Sequence, residues 1–328
     1  IPLAILPGLY FLYLFKTFIN EFKNKNEKNI IILFLITAFS LYSFNRFSGL
    51  GNDGPASIFF FILIIHFLNI QNIKKVDINE FYRILIIAIF LLMLKPFMIF
   101  SLIVPTLLLI INEKKLKLIK DKKNIFCLTL ISLWLLKNVL ISSCIIFPLK
   151  QTCFDNLMHS NTKIVNIASK EAEAWAKGYP VSKIKKGFDQ YNSNLNWLKT
   201  WSKNHLKKIT EKILPLLILI IILISFSFIS KNYYKNFSLK NIFSDKKLIY
   251  LIYFLSFYLI LWFLKFPVYR FGLPFISSFV IIIYVFLFIT NEEKIYNQKI
   301  LSTVLIFGFL VICAKNINRI INKFDQNY

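Results

Sequence analysis

The chain has 328 residues, 57% of them hydrophobic and 17% aromatic, with 36 Phe, 8 Gly and a mean hydropathy of +0.61. Its formal charge is +24, from 40 Lys and Arg against 16 Asp and Glu. The charges fall in short runs between apolar stretches of roughly 15–20 residues, about a bilayer core at 1.5 Å per residue, which excludes a soluble enzyme, a coiled coil and a disordered chain.

The pattern therefore predicts an all-α, multi-pass helical membrane protein. In a soluble protein such a charge would point to nucleic acid; here membrane topology accounts for much of it, and no nucleic-acid partner is expected. Heavy use of Lys, Ile, Asn and Phe is also the mark of an AT-rich genome. The chain begins at Ile1 inside an apolar run, so a fragment or processed form lacking upstream sequence is expected, with no cleavable signal in view.

In chain order the expected spans are 2–19, 30–45, 56–70, 82–94, 97–112, 126–147, 213–230, 248–264, 272–290 and 300–314, about ten in all. Several are short, so tilting or bilayer thinning is implied. The region 82–112 breaks at Lys95-Pro96, because proline removes a helix hydrogen bond, and two short spans are preferred to one broken helix. Alternate short loops carry nineteen Lys and Arg, among them Lys114, Lys115, Lys117, Lys120, Lys122 and Lys123. The opposite side holds only Arg46, Lys95, Lys265 and Arg270, so the rich side is expected to be cytoplasmic. The C-terminal Lys315, Arg319 and Lys323 then fall outside and argue against the tenth span.

The organisation expected is N-terminal transmembrane helices over 1–147, an extracytoplasmic loop over 148–212 and C-terminal transmembrane helices over 213–328. The loop carries 12 Lys, five acids and three of the five Trp. Residues 164–177 and 192–212 read as amphipathic helices of the kind that lie on a membrane surface.

Polar residues near the membrane are the candidates for chemistry, since they are costly there. Arg46, Asn52 and Asp53 lie in an outer loop, Lys95 at an outer hairpin tip, Lys137 and Asn138 within a span, and Arg270 in Phe266-Pro267-Val268-Tyr269-Arg270-Phe271-Gly272. The four cations suit a phosphate or pyrophosphate, Arg as a fork and Lys as a point charge. Asn138 and Asn52 would hydrogen-bond, and Asp53 is the visible candidate for a general base. Trp175 and Trp201 offer sugar-stacking platforms. Structural roles stand beside these: Lys95 and Arg270 snorkelling to headgroups, Lys137 pairing with a carboxylate, Asp53 as a turn residue and the Trp as interface anchors. Cys144 and Cys153, nine apart, can form a disulfide pinning the loop's entry in an oxidising compartment. The histidines lack metal-ligand spacing and no CxxC, P-loop or GxGxxG occurs, so neither metal nor cofactor is expected.

The run Trp134-Leu135-Leu136-Lys137-Asn138 to Ile146-Phe147-Pro148, followed by Thr152-Cys153-Phe154, resembles an uncharacterised bacterial membrane family of surface-polysaccharide loci. The stretches Glu173 to Pro180, Trp197 to His205 and Arg270-Phe271-Gly272 are similar too. The resemblance covers roughly 46–275 and departs at Ser143, where the family often has Gly; the N-terminal part of the family pattern is absent. That family in turn looks like GT-C type glycosyltransferases. The resemblance implies a polyprenyl-phosphate-linked sugar donor, a lipid-linked glycan acceptor, an outward-facing site and a carboxylate base in a first exterior loop. The expected protein is a bacterial inner-membrane transferase of surface polysaccharide or lipopolysaccharide synthesis. A polymerase or ligase shares these features, and a flippase or transporter is the third possibility.

Overall fold

The structure is a computed structural model that describes residues 2–44, 51–179, 187–229, 245–289 and 298–324. Among these residues the regular elements are all helical, and the only strand-like pairing is an isolated antiparallel bridge between Cys144 and Cys153. The helices are α1 (Pro2–Lys23), α2 (Glu27–Tyr42), α3 (Asp53–Asn69) and α4 (Ile78–Leu94), then a 3-10 segment Pro96–Leu102, α5 (Ile103–Ile111), α6 (Lys115–Ile119) and α7 (Lys123–Ser142). After them come α8 (Thr162–Ala176), α9 (Phe188–Asn192), α10 (Leu198–Trp201), a π turn Ser202–Leu206 and α11 (Lys207–Ile229). The chain closes with α12 (Lys246–Lys265), α13 (Tyr269–Phe288) and α14 (Gln298–Phe324).

Local signals start and stop these helices. Asn26, Asp77 and Asn161 are N-caps whose side chains accept from Asn29 N, Asn79 N and Ile164 N, satisfying amides that have no intrahelical partner. Lys95 is extended, as a residue before proline must be, and α4 ends there. Gly178, at φ +82, ends α8 in a Schellman motif, with Gly178 N donating to Trp175 O and Tyr179 N to Ala174 O.

Among the described residues four helices are long and apolar enough to cross a bilayer: Lys123–Ser142, Leu198–Phe226, Lys246–Lys265 and Tyr269–Phe288. Large apolar side chains stand exposed along them, Leu140 at 66% and Ile260 at 59% among others, a surface that only lipid or protein can cover. This is an all-α membrane protein. The expectation of about ten spans is corrected among the described residues. The runs 30–45 and 82–94 fold as helices of 16 and 17 residues, and 97–112 divides into a 3-10 segment and a nine-residue helix. The amphipathic stretch 192–212 is not a separate surface helix, because from Leu198 it runs on as one apolar helix to Phe226.

The chain forms two compact units. The first comprises 1–61, 210–256 and 273–328, the second 62–209 and 257–272. In the first, α2 is the core: Ile30 to Ile36 are all 3% exposed or less. Its neighbours are held by rings, Phe34 edge-on to Phe309 and Phe60 edge-on to Phe275, and by the buried Tyr10–Ser40 hydroxyl pair at 3.0 Å. Near its N-terminus Lys28 donates to Asp245 at 2.5 Å, with the two side chains 23% and 15% exposed.

Burial alone would raise the Asp245 carboxyl, but the Lys28 ammonium, with the Lys247 charge and the Leu248 amide, outweighs it and holds the group below the ordinary 3.8. A carboxyl depressed in the folded state contributes stability above its unfolded value and loses it as pH falls through the folded one. Lys28→Met should therefore lower stability at pH 7 by about 1 kcal/mol or more. In detergent melts the gap from the native chain should shrink as pH drops below 3.8; a gap of equal size at both pH values would contradict the pairing.

Candidate functional site: a basic and aromatic cluster at the start of α13

The second unit gathers polar groups around the turn 266–268 and the first residues of α13. Two indoles build this turn. Trp201 Nε1 donates to Pro267 O at 2.5 Å, and Trp262 Nε1 donates to Val268 O at 2.9 Å, a carbonyl that also accepts from the Phe271 and Gly272 amides. Trp201 also packs edge-on to Phe263 and Trp197. Gly272 is where α13 passes the Trp262 ring, and a Cβ there would lie 2.3 Å from it. The chain can make this approach only with glycine.

Lys95 is brought to the same element from the other side. The 3-10 turn after it is fixed by Phe97 against Tyr258 and Phe266, and by Ser101, whose hydroxyl donates to Ala88 O at 3.1 Å. That anchorage sets Lys95 Nζ 3.6 Å from the centre of the Phe271 ring. Lys208 Nζ stands 5.2 Å from the centre of the Tyr269 ring, and exposed Arg270 lies in sequence between those two rings. His205, on the π turn, tilts against Tyr269 at 5.9 Å and Trp201 at 6.4 Å, with Lys208 and Arg270 in electrostatic reach. Neither His205 ring nitrogen has a hydrogen-bond partner, although both are buried, an arrangement that costs free energy unless a ligand or water satisfies it. Lys95 and Lys208 thus each stand over one of the two rings that flank Arg270 in sequence, at the N-terminal end of a 20-residue apolar helix. Such a set can neutralise an anion whose attached chain is apolar.

A second knot braces the 162–201 segments. Lys177, 2% exposed, donates to Glu173 at 2.6 Å and to Asn192 O at 3.3 Å, and lies 5.2 Å from the Trp197 ring centre. Glu173 also faces Lys265 Nζ at 3.9 Å.

Of the sequence candidates, Lys95, Trp201 and Arg270 come together in this cluster. Trp201, at 7% exposure, belongs to the packed interior and forms a wall of the site. Trp175 is 49% exposed on α8, its Nε1 donating to Glu171 at 3.2 Å. Lys137 is exposed on α7, and Asn138 donates to Ile145 O at 3.0 Å, clasping the loop that follows the helix. Cys144 and Cys153 are disulfide-bonded at the base of that loop. Ser143 has φ +58, a conformation that glycine adopts without steric cost. Asn52 and Asp53 belong to the first unit, with Asp53 opening α3, where a carboxylate complements the helix dipole. Arg46 lies outside the described residues. No cluster of metal-ligating residues occurs among those described.

His205, Lys208 and Tyr269 do not stand out in the sequence singly. The signal that finds two of them is periodic: Trp197, Trp201, His205 and Lys208 are spaced four, four and three apart, one face of a helix.

The fold and cluster define an all-helical membrane chain with a cationic, ring-lined end. A model of the family described as domain of unknown function DUF8201 matches residues 3–277, and the chain belongs to that family. The matched span takes in the disulfide loop and the Tyr269–Gly272 element and stops before α14. No curated protein and no solved structure matches the chain.

Gly272→Ala should destabilise the protein by about 1–3 kcal/mol, the cost of overpacking a filled site. Gly8→Ala, where a Cβ meets nothing within 4 Å, should be neutral or stabilise α1 by up to about 1 kcal/mol. Thermal unfolding in detergent checks both, and an unshifted midpoint for Gly272→Ala would contradict the ring contact.

Proposed function

We propose that this chain is an integral membrane glycosyltransferase that takes a sugar from a polyprenyl-phosphate-linked donor and passes it to a lipid-linked glycan in surface-polysaccharide synthesis. The observation that carries it is the cation set at Tyr269–Gly272, with exposed Arg270 lying in sequence between the two residues whose rings Lys208 and Lys95 stand over. In such a transfer the acceptor oxygen forms a bond to the anomeric carbon while the bond from that carbon to the donor phosphate breaks. The phosphate leaves with the electron pair, and its growing charge is what fixed cations at the leaving-group end stabilise. Arg270 offers the fork for two phosphate oxygens, and Lys95 and Lys208 offer point charges.

The acceptor's proton goes to a carboxylate. Asp53 is the sequence's candidate for that base, and the proposal here concerns only the leaving-group end. On this view the architecture is GT-C-like, and the site opens on the outer face of a bacterial inner membrane, with residues 148–212 on that side. A polysaccharide polymerase or ligase, with a lipid pyrophosphate leaving group, would use the same cations and is the second reading.

Arg270→Ala should reduce transfer at least about 100-fold, the scale on which losing one preorganised charge-stabilising donor acts. The variant should still accumulate in the membrane, because the exposed guanidinium fills no core space. The check is lipid-linked glycan completion in cells complemented with the variant. Transfer at the native level with Arg270→Ala would contradict the phosphate role.

A further inference from the structure

Within the first unit, α2, α11 and α14 enclose a groove of about 250 Å³. Its walls are apolar, from Phe39, Leu216, Leu219 and Ile312, and at Gly308 α14 passes so near α2 that a Cβ would lie 2.8 Å from Phe34. The rim is apolar as well: Phe307 is 68% and Val311 53% exposed. A groove opening onto such a surface suits a hydrocarbon chain better than a soluble ligand.

One end of the groove is different. Tyr42 lines it, and its hydroxyl donates to Glu211 O at 3.4 Å. That carbonyl is the one Pro215 leaves without its helix donor, so the proline kink and the tyrosine are parts of one arrangement. The ammonium of Lys315 lies 2.9 Å and that of Lys212 5.5 Å from the centre of the Tyr42 ring. Asn316 fixes the approach by donating to Leu41 O at 3.1 Å. Two cations are therefore held together at the mouth of an apolar groove, the arrangement by which helical membrane proteins hold anionic lipid headgroups.

We propose that this groove binds an anionic phospholipid of the surrounding bilayer, with its acyl chain along α2, α11 and α14 and its phosphate beside Lys212 and Lys315. The site is separate from the cluster at α13, and it does not depend on the transferase reading. The sequence leaves Lys315 as an anomaly of charge topology; as a headgroup ligand it has a use.

The test is native mass spectrometry of the purified full chain with dioleoyl phosphatidylglycerol or dioleoyl phosphatidylcholine, lipids of equal chain length. The native protein should retain phosphatidylglycerol with about a thirtyfold preference, the factor two lysines near a headgroup supply. Lys212→Gln with Lys315→Gln should erase that preference, and Val311→Trp, which fills the groove, should lower retention of both lipids. If the double variant does not fold, Lys212→Gln alone should cut the preference about fivefold. Equal retention by the native protein, or a preference that survives the lysine substitutions, would overturn the proposal. So would displacement by inorganic phosphate, or stronger retention of undecaprenyl phosphate than of phosphatidylglycerol.

Discussion

Inside a hydrocarbon layer, every backbone amide and carbonyl must find its partner within the protein. Helices meet that demand along their length, and the difficulty moves to the places where helices break. In this chain the breaks occur at Lys95-Pro96 and at Phe266-Pro267-Val268, and the solutions are visible. Trp201 and Trp262 lend their indole N–H groups to the carbonyls of the second break. Ser101 ties the 3-10 segment after the first break back to α4. What the site needs, an abrupt turn presenting Arg270, is made possible by aromatic donors placed on neighbouring helices.

The same economy governs charge. Lys95, Lys208, Lys315 and the buried Lys177 each stand over an aromatic ring. A ring face stabilises a cation without neutralising it. At Lys177 a ring and a carboxylate act together, since it also pairs with Glu173, and at Lys28–Asp245 a carboxylate pair braces the first unit. The high aromatic content therefore has a structural consequence, whatever drift in base composition contributed to it.

Much of the fold is legible in the sequence. The runs 248–264 and 272–290 coincide closely with α12 and α13, and the break at Lys95-Pro96 falls where proline chemistry places it. Apolar length alone misleads over 192–230: polar residues up to Lys212 suggest a surface helix, yet the chain from Leu198 continues into an apolar span because helix propagation is cheap once begun. The site is legible only in part. Arg270 and Lys95 are conspicuous because cations are costly near lipid, whereas His205 and Tyr269 are ordinary residues until the turn brings them together. Trp201 is conspicuous as an aromatic residue, but that its indole closes a backbone turn is visible only in the structure.

The central claim is that the cation set at α13 serves the transfer of a sugar from a lipid phosphate. Mass spectrometry of lipid-linked and surface glycans, in a strain lacking the gene, tests it most directly. The account predicts glycan units short of one specific sugar, whose identity would name the donor. Complete units that remain single and unpolymerised would contradict it and move the assignment to a polymerase or ligase, and a glycan profile identical to the parent strain's would contradict both.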